Sequence, residues 1–327
     1  MVTNPAGRGG TSQHISYGCP AGVRTACSDI VSGRTEHHDA LAFRKQQVDG
    51  SNPSVGSTLP PHNRRAPELL GRQSMSRSTP EYNINIQTNN ILSKMDEGEV
   101  AYGCQFNSPS SEQIELLGIA GFDFVIFDGE HGSFTLGDLE DQSRVAQMSG
   151  LTAIGMVPDV EAPTIHSFLE RGILGIHGPN ITTQEDAQKL ADACRYAPNG
   201  RRSLSFSRAT NFGFGPPRPE YMAHANTQII VIALLEHVDA LDNLDAILSV
   251  EGIDLYSVGP KDLAQSMGIP GQMNHPRVKE FETKVIDSVH NAGKTMAPEV
   301  ISAQRASQLF LDAAVTFVNS HKSPIIQ

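Results

Sequence analysis

Tryptophan is absent from the 327 residues, and no apolar run approaches the roughly 18 residues of a membrane span. The N-terminus lacks the apolar core of a secretory signal. Cysteine is scarce: Cys19, Cys27, Cys104 and Cys194 form no CxxC pair and no dense framework. They read as reduced thiols of an intracellular protein, neither staples nor a zinc site. Basic residues are outnumbered, 25 Lys and Arg against 36 Asp and Glu, for a formal net charge of −11. That balance speaks against a nucleic-acid or anionic-membrane partner, either of which needs a clustered basic face. The expectation is a soluble, cytoplasmic protein.

What is present divides near residue 90. Residues 1–90 hold nine Lys or Arg against six Asp or Glu, leaving 16 against 30 for the remainder. The first part is rich in Gly, Ser, Pro, Asn and Thr and shows no sustained apolar periodicity. It cannot bury enough apolar surface to offset ordering entropy, so residues 1–85 are expected to be largely disordered. The His37-His38-Asp39 cluster within it could bind a metal, but a solvated polar tail is the favoured reading. The second domain is assigned to residues 91–327.

From about residue 92 short β-branched runs alternate with amphipathic stretches. Strands are predicted at 100–106, 122–127, 152–157, 173–177, 229–235, 255–258, 296–298 and 314–318, with helices at 184–196, 240–250 and 278–292. This rhythm signals parallel strands joined by crossover helices. Eight strands over such a length favour a closed (β/α)8 TIM barrel over an open doubly wound sheet. No GxGxxG or Walker loop follows the first strand, which lowers the case for a nucleotide-binding sheet.

In such a barrel the chemistry sits at the C-terminal strand ends. The second strand runs into Asp128-Gly129-Glu130-His131-Gly132, the fifth ends at Glu236, and the sixth leads into Gly259-Pro260-Lys261-Asp262. Two carboxylates from separate strands suit a hard divalent cation that keeps open positions for a chelating substrate. The same acids are equally the residues that cap helices after strands, and the residues alone leave both readings open.

The stretch Gly121-Phe-Asp-Phe-Val-Ile-Phe-Asp-Gly-Glu-His-Gly132 resembles the signature of the HpcH/HpaI aldolase family. Leu235-Glu236, the run Asp242–Ile247, Val250–Asp254 and Gly259-Pro260-Lys261-Asp262-Leu263 extend the resemblance. The interval from Glu236 to Asp262, 262 − 236 = 26, matches the spacing of that family's metal ligands. Arg195-Tyr-Ala-Pro-Asn-Gly-Arg-Arg-Ser203 is similar to its Tyr-x-Pro-x-Gly-x-Arg segment, and in form most resembles the macrophomate synthase branch. The resemblance covers roughly 92–320. It implies a phosphoenolpyruvate/pyruvate-type barrel whose divalent metal, Mg²⁺ before Mn²⁺ or Co²⁺, binds a 2-oxo acid and stabilises its enolate as a Lewis acid. On that reading Glu236 and Asp262 hold the metal, His131 is the general base, and Asp128 orients its ring. The backbone at Gly259, Pro260, Lys261 and Asp262 would face the substrate carboxylate.

The chain also departs from the family. Met156 stands where an arginine is expected to stabilise the enolate oxygen, and losing one such group typically costs on the order of 10²–10³ in rate. Leu234 replaces a polar glutamine beside the metal. Both would line the substrate pocket, with Lys261, Arg202 and Arg208 as candidates for a compensating charge. A strand at 314–318 would leave no room for the family's last helix, which packs against a neighbouring subunit, so homo-oligomer formation is expected to be weakened. The implied activity is carbon–carbon lysis of a 4-hydroxy-2-oxo acid by a class II aldolase. Oxaloacetate decarboxylation with enolate capture, as in macrophomate synthase, is the alternative within the class. A catalytically degenerate barrel serving as a binding or assembly subunit is the alternative outside it.

Overall fold

The computed structural model describes residues 87–321. The first 86 residues, with the expected disordered segment, His37-His38-Asp39, Cys19 and Cys27, lie outside the described residues, as does the chain from Lys322. The elements in order are α1 (Asn90–Glu97), β1 (Ala101–Phe106), α2 (Ser111–Ala120), β2 (Phe124–Asp128), α3 (Leu136–Met148), β3 (Thr152–Met156), α4 (Ala162–Leu169), β4 (Gly175–Gly178), α5 (Gln184–Cys194), α6 (Arg218–Gln228) and β5 (Ile230–Leu235). There follow α7 (Leu244–Leu248), β6 (Leu255–Val258), α8 (Pro260–Ser266), α9 (Pro276–Asn291), β7 (Thr295–Met296), α10 (Ala297–Val300), β8 (Ile301–Arg305) and α11 (Ala306–Ser320). Eight parallel strands in the order β7-β6-β5-β4-β3-β2-β1-β8 give a curled, TIM-barrel-like sheet.

Strand parity decides which side chains face inward. Phe124, Ile126, Ile154, Ile230, Ile232 and Leu255 form one buried cluster inside the curl. Their neighbours Val125, Phe127, Ala153, Val231, Ala233 and Tyr256 belong to the larger core between sheet and helices. Both faces of β2 and β5 are therefore apolar, as parallel strands require. The base of the curl is plugged by α1. Asn89 caps that helix by accepting from Ile91 N, while its amide donates to Leu174 O (3.1 Å) and Gln228 O (3.0 Å) at the starts of β4 and β5. Thr135 with Asp138, and Thr183 with Asp186, form capping boxes that start α3 and α5.

The first six predicted strands coincide with β1–β6 to within two residues at either end. The eighth does not: Ala314–Val318 lies within α11, and β8 is formed by Ile301–Arg305. An apolar β-branched run is compatible with either element, and the polar Ser302-Ala-Gln-Arg305 gives no buried-strand signal. The expected lack of a helix after the last strand falls with it, because α11 follows β8. That helix leaves Phe310, Leu311, Val315, Phe317 and Val318 exposed. Nor do the ladders close the expected barrel among the described residues. β7 has two residues and pairs with β6, while β8 pairs with β1. Chain termination of β7 has a local cause: Ala297-Pro298 opens α10, and proline offers no amide proton to a ladder.

Candidate active site at the strand ends

Asp128 is the hub of the β2 end. It is 3% exposed, and four donors converge on its carboxylate. Its Oδ1 accepts from the backbone of Glu130 (3.2 Å) and His131 (2.8 Å). Its Oδ2 accepts from Asn107 Nδ2 (2.7 Å) and Gln105 Nε2 (3.2 Å). The Asp-Gly-Glu-His-Gly turn is thus wound around its own first residue. Gly132 is required there, since a β-carbon would lie 2.0 Å from Asp128 O and 2.9 Å from Asn107 O. Asp128 meets His131 through its backbone and not through its ring. The exposed imidazole instead has its Nε2 3.8 Å from Glu130 Oε1.

Glu236 follows β5 in the parity of Ile230, Ile232 and Leu234, which aims it at the interior face. It is 5% exposed and accepts one hydrogen bond, from Asn180 N (3.1 Å). Asn180 holds a left-handed backbone (φ 51°) to present that amide. Burial pushes Glu236 up to about 7; the Asn180 bond opposes this, while Asp262 and Glu130 add to it. Burial likewise raises Glu130, with His131 opposing and Asp128 and Asp262 reinforcing the rise. Asp262 is exposed in the first turn of α8, beside exposed Lys261, and α8 starts at the cap Gly259. The first bond in α8 runs from Leu263 N to Gly259 O (2.9 Å), so the Lys261 and Asp262 amides have no intrahelical acceptor.

The inner wall between these groups carries Met156, His177, Leu234 and Ser257. In register, Asp128 faces Met156 and Met156 faces His177. Met156 Sδ accepts from Gln105 Nε2 (3.6 Å), so one amide bridges Asp128 and Met156. His177 Nε2 lies 2.9 Å from Ser257 Oγ. Burial holds its pKa down to about 4, against a smaller upward pull from Asp128, leaving a neutral imidazole. Leu234 is buried, and its carbonyl accepts from Ile181 N (3.1 Å).

The donor set fits a divalent cation. Glu236, Asp262 and Glu130 act on one another as like charges, and none of the ion pairs among the described residues gives Glu236 or Asp262 a lysine or arginine. A buried carboxylate with one hydrogen bond and no counter-charge is costly, and a cation relieves that cost. Among the described residues no three His, Cys, Asp or Glu side chains converge to enclose an ion by themselves. Two protein oxygens with open positions is the usual arrangement for Mg²⁺.

Structure therefore gathers Asp128, His131, Met156, Leu234, Glu236, Gly259, Pro260, Lys261 and Asp262 at one end of the sheet. It separates Arg202 and Arg208, which lie with Leu174 and Ile229 at the starts of β4 and β5, the opposite end. Neither can serve as the compensating charge considered above. Arg195 braces the sheet, pairing bidentately with Asp254 (2.9 and 2.7 Å), whose Oδ2 also accepts from Val231 N. Cys104 and Cys194 are free, buried thiols, pushed up by burial to about 11 and about 12. Sequence reasoning overlooked His177 and Ser257, although their parity with Gly175 and Leu255 marks them as inward-facing polar residues near strand ends. Asn107, Gln105 and Asn180 act through the fold and had no comparable signal.

The family model described as HpcH/HpaI aldolase/citrate lyase matches residues 102–321. Hydroxypyruvate/pyruvate aldolase of Roseobacter denitrificans is 35% identical over 230 residues, covering 70% of this chain and 89% of that protein. A HpcH/HpaI aldolase/citrate lyase family protein from Burkholderia cenocepacia J2315 superposes with TM-score 0.65 at 26% identity, covering 72% of this chain and all of that one. Macrophomate synthase superposes with TM-score 0.59 at 24% identity, over 71% of this chain and 88% of that one, a likeness of fold. No helix among the described residues is long and apolar enough to cross a membrane.

Proposed function

The chain belongs to the HpcH/HpaI aldolase/citrate lyase family, and from that membership we propose a divalent-metal-dependent lyase that cleaves or forms the carbon–carbon bond of a 4-hydroxy-2-oxo acid. The observation that carries the reading is the buried, uncompensated Glu236 facing Asp262 and Glu130 at the strand ends. Glu236 and Asp262 would hold the ion, Mg²⁺ by preference for oxygen donors. When bound, such a cation supplies Lewis-acid stabilisation of developing negative charge on the keto oxygen.

The protein's own groups do the rest. The unpaired amides of Lys261 and Asp262 donate to the substrate carboxylate at the turn made by Gly259 and Pro260. His131 Nε2 takes the proton from the 4-hydroxyl on cleavage and returns it on synthesis. Glu130 beside it can share that proton, since its raised pKa brings it nearer neutrality. Asp128 keeps both on one rigid turn through its two backbone contacts. Met156, Leu234 and neutral His177 make this wall less positive than an arginine would.

The test is deuterium exchange into the methyl group of pyruvate, followed by NMR, with Mg²⁺ or Mn²⁺ and then with EDTA. Exchange that needs the metal and disappears in Glu236→Gln supports the lyase. A folded protein that binds metal but exchanges nothing removes it. The second reading, a degenerate barrel used for binding or assembly, then leads, and Met156 in place of a cation is the observation in its favour.

A further inference from the structure

The two arginines that the mouth does not use share a cavity of their own. A pocket of about 160 Å³, partly open to solvent, lies at the base beside Leu174 and Ile229, among α4, α6 and the segment 208–213. Its polar lining comprises Arg202, Arg208, His224, Tyr221 and the amides of Gln147 and Gln228, with further amides at Gln87 and Asn211; no Asp or Glu contributes. In a chain of net charge −11 that exclusion of acids is specific.

Arg202 is 8% exposed, and its guanidinium lies 4.7 Å from the Tyr196 ring centroid. None of the ion pairs among the described residues includes it. Arg208 donates to neutral oxygens: Ser143 Oγ (3.3 Å), Arg171 O (3.2 Å) and Gln147 Oε1. His224, also in the lining, has a buried Nε2 without a hydrogen-bond partner. A buried guanidinium lacking counter-charge is expensive to maintain unless an anion visits it. Guanidinium forks match carboxylate and phosphate oxygens in pairs. The volume admits a molecule of few atoms and falls below the roughly 300 Å³ at which drug-sized pockets begin.

We infer that this cavity binds a small oxyanion, a carboxylate or phosphate, between Arg202 and Arg208, with His224 Nε2 as a further polar partner. The site is separate from the strand-end carboxylates and does not depend on the reaction proposed there. Both arginines come from the long connection between α5 and α6. Occupancy would therefore tie that connection to α4 and to the starts of β4 and β5.

The experiment is isothermal titration of the full chain, in EDTA, with inorganic phosphate in one arm and pyruvate in the other. Saturable binding of one equivalent in either arm is expected, and the stronger arm identifies the anion. Arg208→Gln should weaken it at least tenfold, about one decade in Kd, while Glu236→Gln should leave it unchanged. Arg208→Gln retains the Arg202–Tyr196 stack, so it remains informative should Arg202→Gln fail to fold. No saturable binding in either arm overturns the inference. So does binding that persists in folded Arg208→Gln, or binding lost in Glu236→Gln, which would place the anion at the strand ends.

Discussion

Gly259 and Glu236 are packed so closely that a β-carbon on the glycine would lie 2.5 Å from Glu236 Oε2 and 2.9 Å from Glu236 Cβ. The glycine that caps α8 is therefore also the wall against which the buried carboxylate is set. Gly259→Ala is expected to push Glu236 off its position. On the proposed reading Glu236 is a metal ligand; outer contacts of such ligands typically contribute 10–100-fold to metal affinity or activity, and a loss of about that size is expected here. Mn²⁺ titration beside steady-state kinetics checks it, and unchanged affinity would show that Glu236 can move aside.

Protonation of Glu236 makes the metal-free protein depend on pH in a defined direction. Its folded pKa, about 7, exceeds the unfolded value near 4.5. The folded state holds the extra proton between these values, so this group's contribution is full below the lower value and is lost as pH rises through the upper one. Thermal unfolding in EDTA from pH 5 to pH 8 should show Tm falling, and Glu236→Gln should flatten that slope. A parallel slope in the variant would assign it to other groups.

His177 has the opposite sign. Its folded pKa, about 4, lies below the ordinary 6.5, so its contribution is present above 6.5 and is lost as pH falls from there towards 4. His177→Gln should therefore tolerate acid better than the wild type over that interval. On the proposed activity, the same variant should alter KM for the 2-oxo acid substrate by about tenfold, a change of roughly 1.4 kcal/mol in binding, with no inflection attributable to His177 above pH 5. An acid limb near pH 6.5 removed by the variant would contradict this.

Asp128→Asn tests the hub. The amide nitrogen would face two existing donors, Asn107 Nδ2 and Gln105 Nε2, or, if flipped, the amides of Glu130 and His131. Leaving a buried polar contact unsatisfied costs about 1–3 kcal/mol. The expected outcome is a loss of stability of that order by chemical denaturation, together with a fall in kcat as the turn loosens. Full kcat with lowered stability would confine Asp128 to a purely structural part.

Most of the frame could be read from residues alone because β1–β6 are short, buried and bounded by turns. The eighth strand could not. Ala314–Val318 is as apolar as most of the others, and what separates a helix there from a strand is the pairing of Ile301–Arg305 with β1. The carboxylates were legible as strand-end acids, and parity then turned Glu236 inward. His177 was hidden in an apolar strand, and its meaning came from Ser257, 80 positions away. Arg202 sits in a family-like segment and Arg208 follows it, yet only the fold shows that both lie at the far end from Glu236.

The inward parity of β5 bears on how this chain can change over generations. From Ile230 to Glu236 every second residue points to the interior, so the strand counts in twos. Inserting or deleting one codon anywhere in that stretch would turn Glu236 into the apolar layer of Val231, Ala233 and Leu235, and bring Leu235 or His237 respectively to its place at the mouth. Connections such as that between α5 and α6 carry no such arithmetic. Length variation among descendants of this sequence should therefore collect in those connections, while β5 keeps its residue count even where its side chains drift.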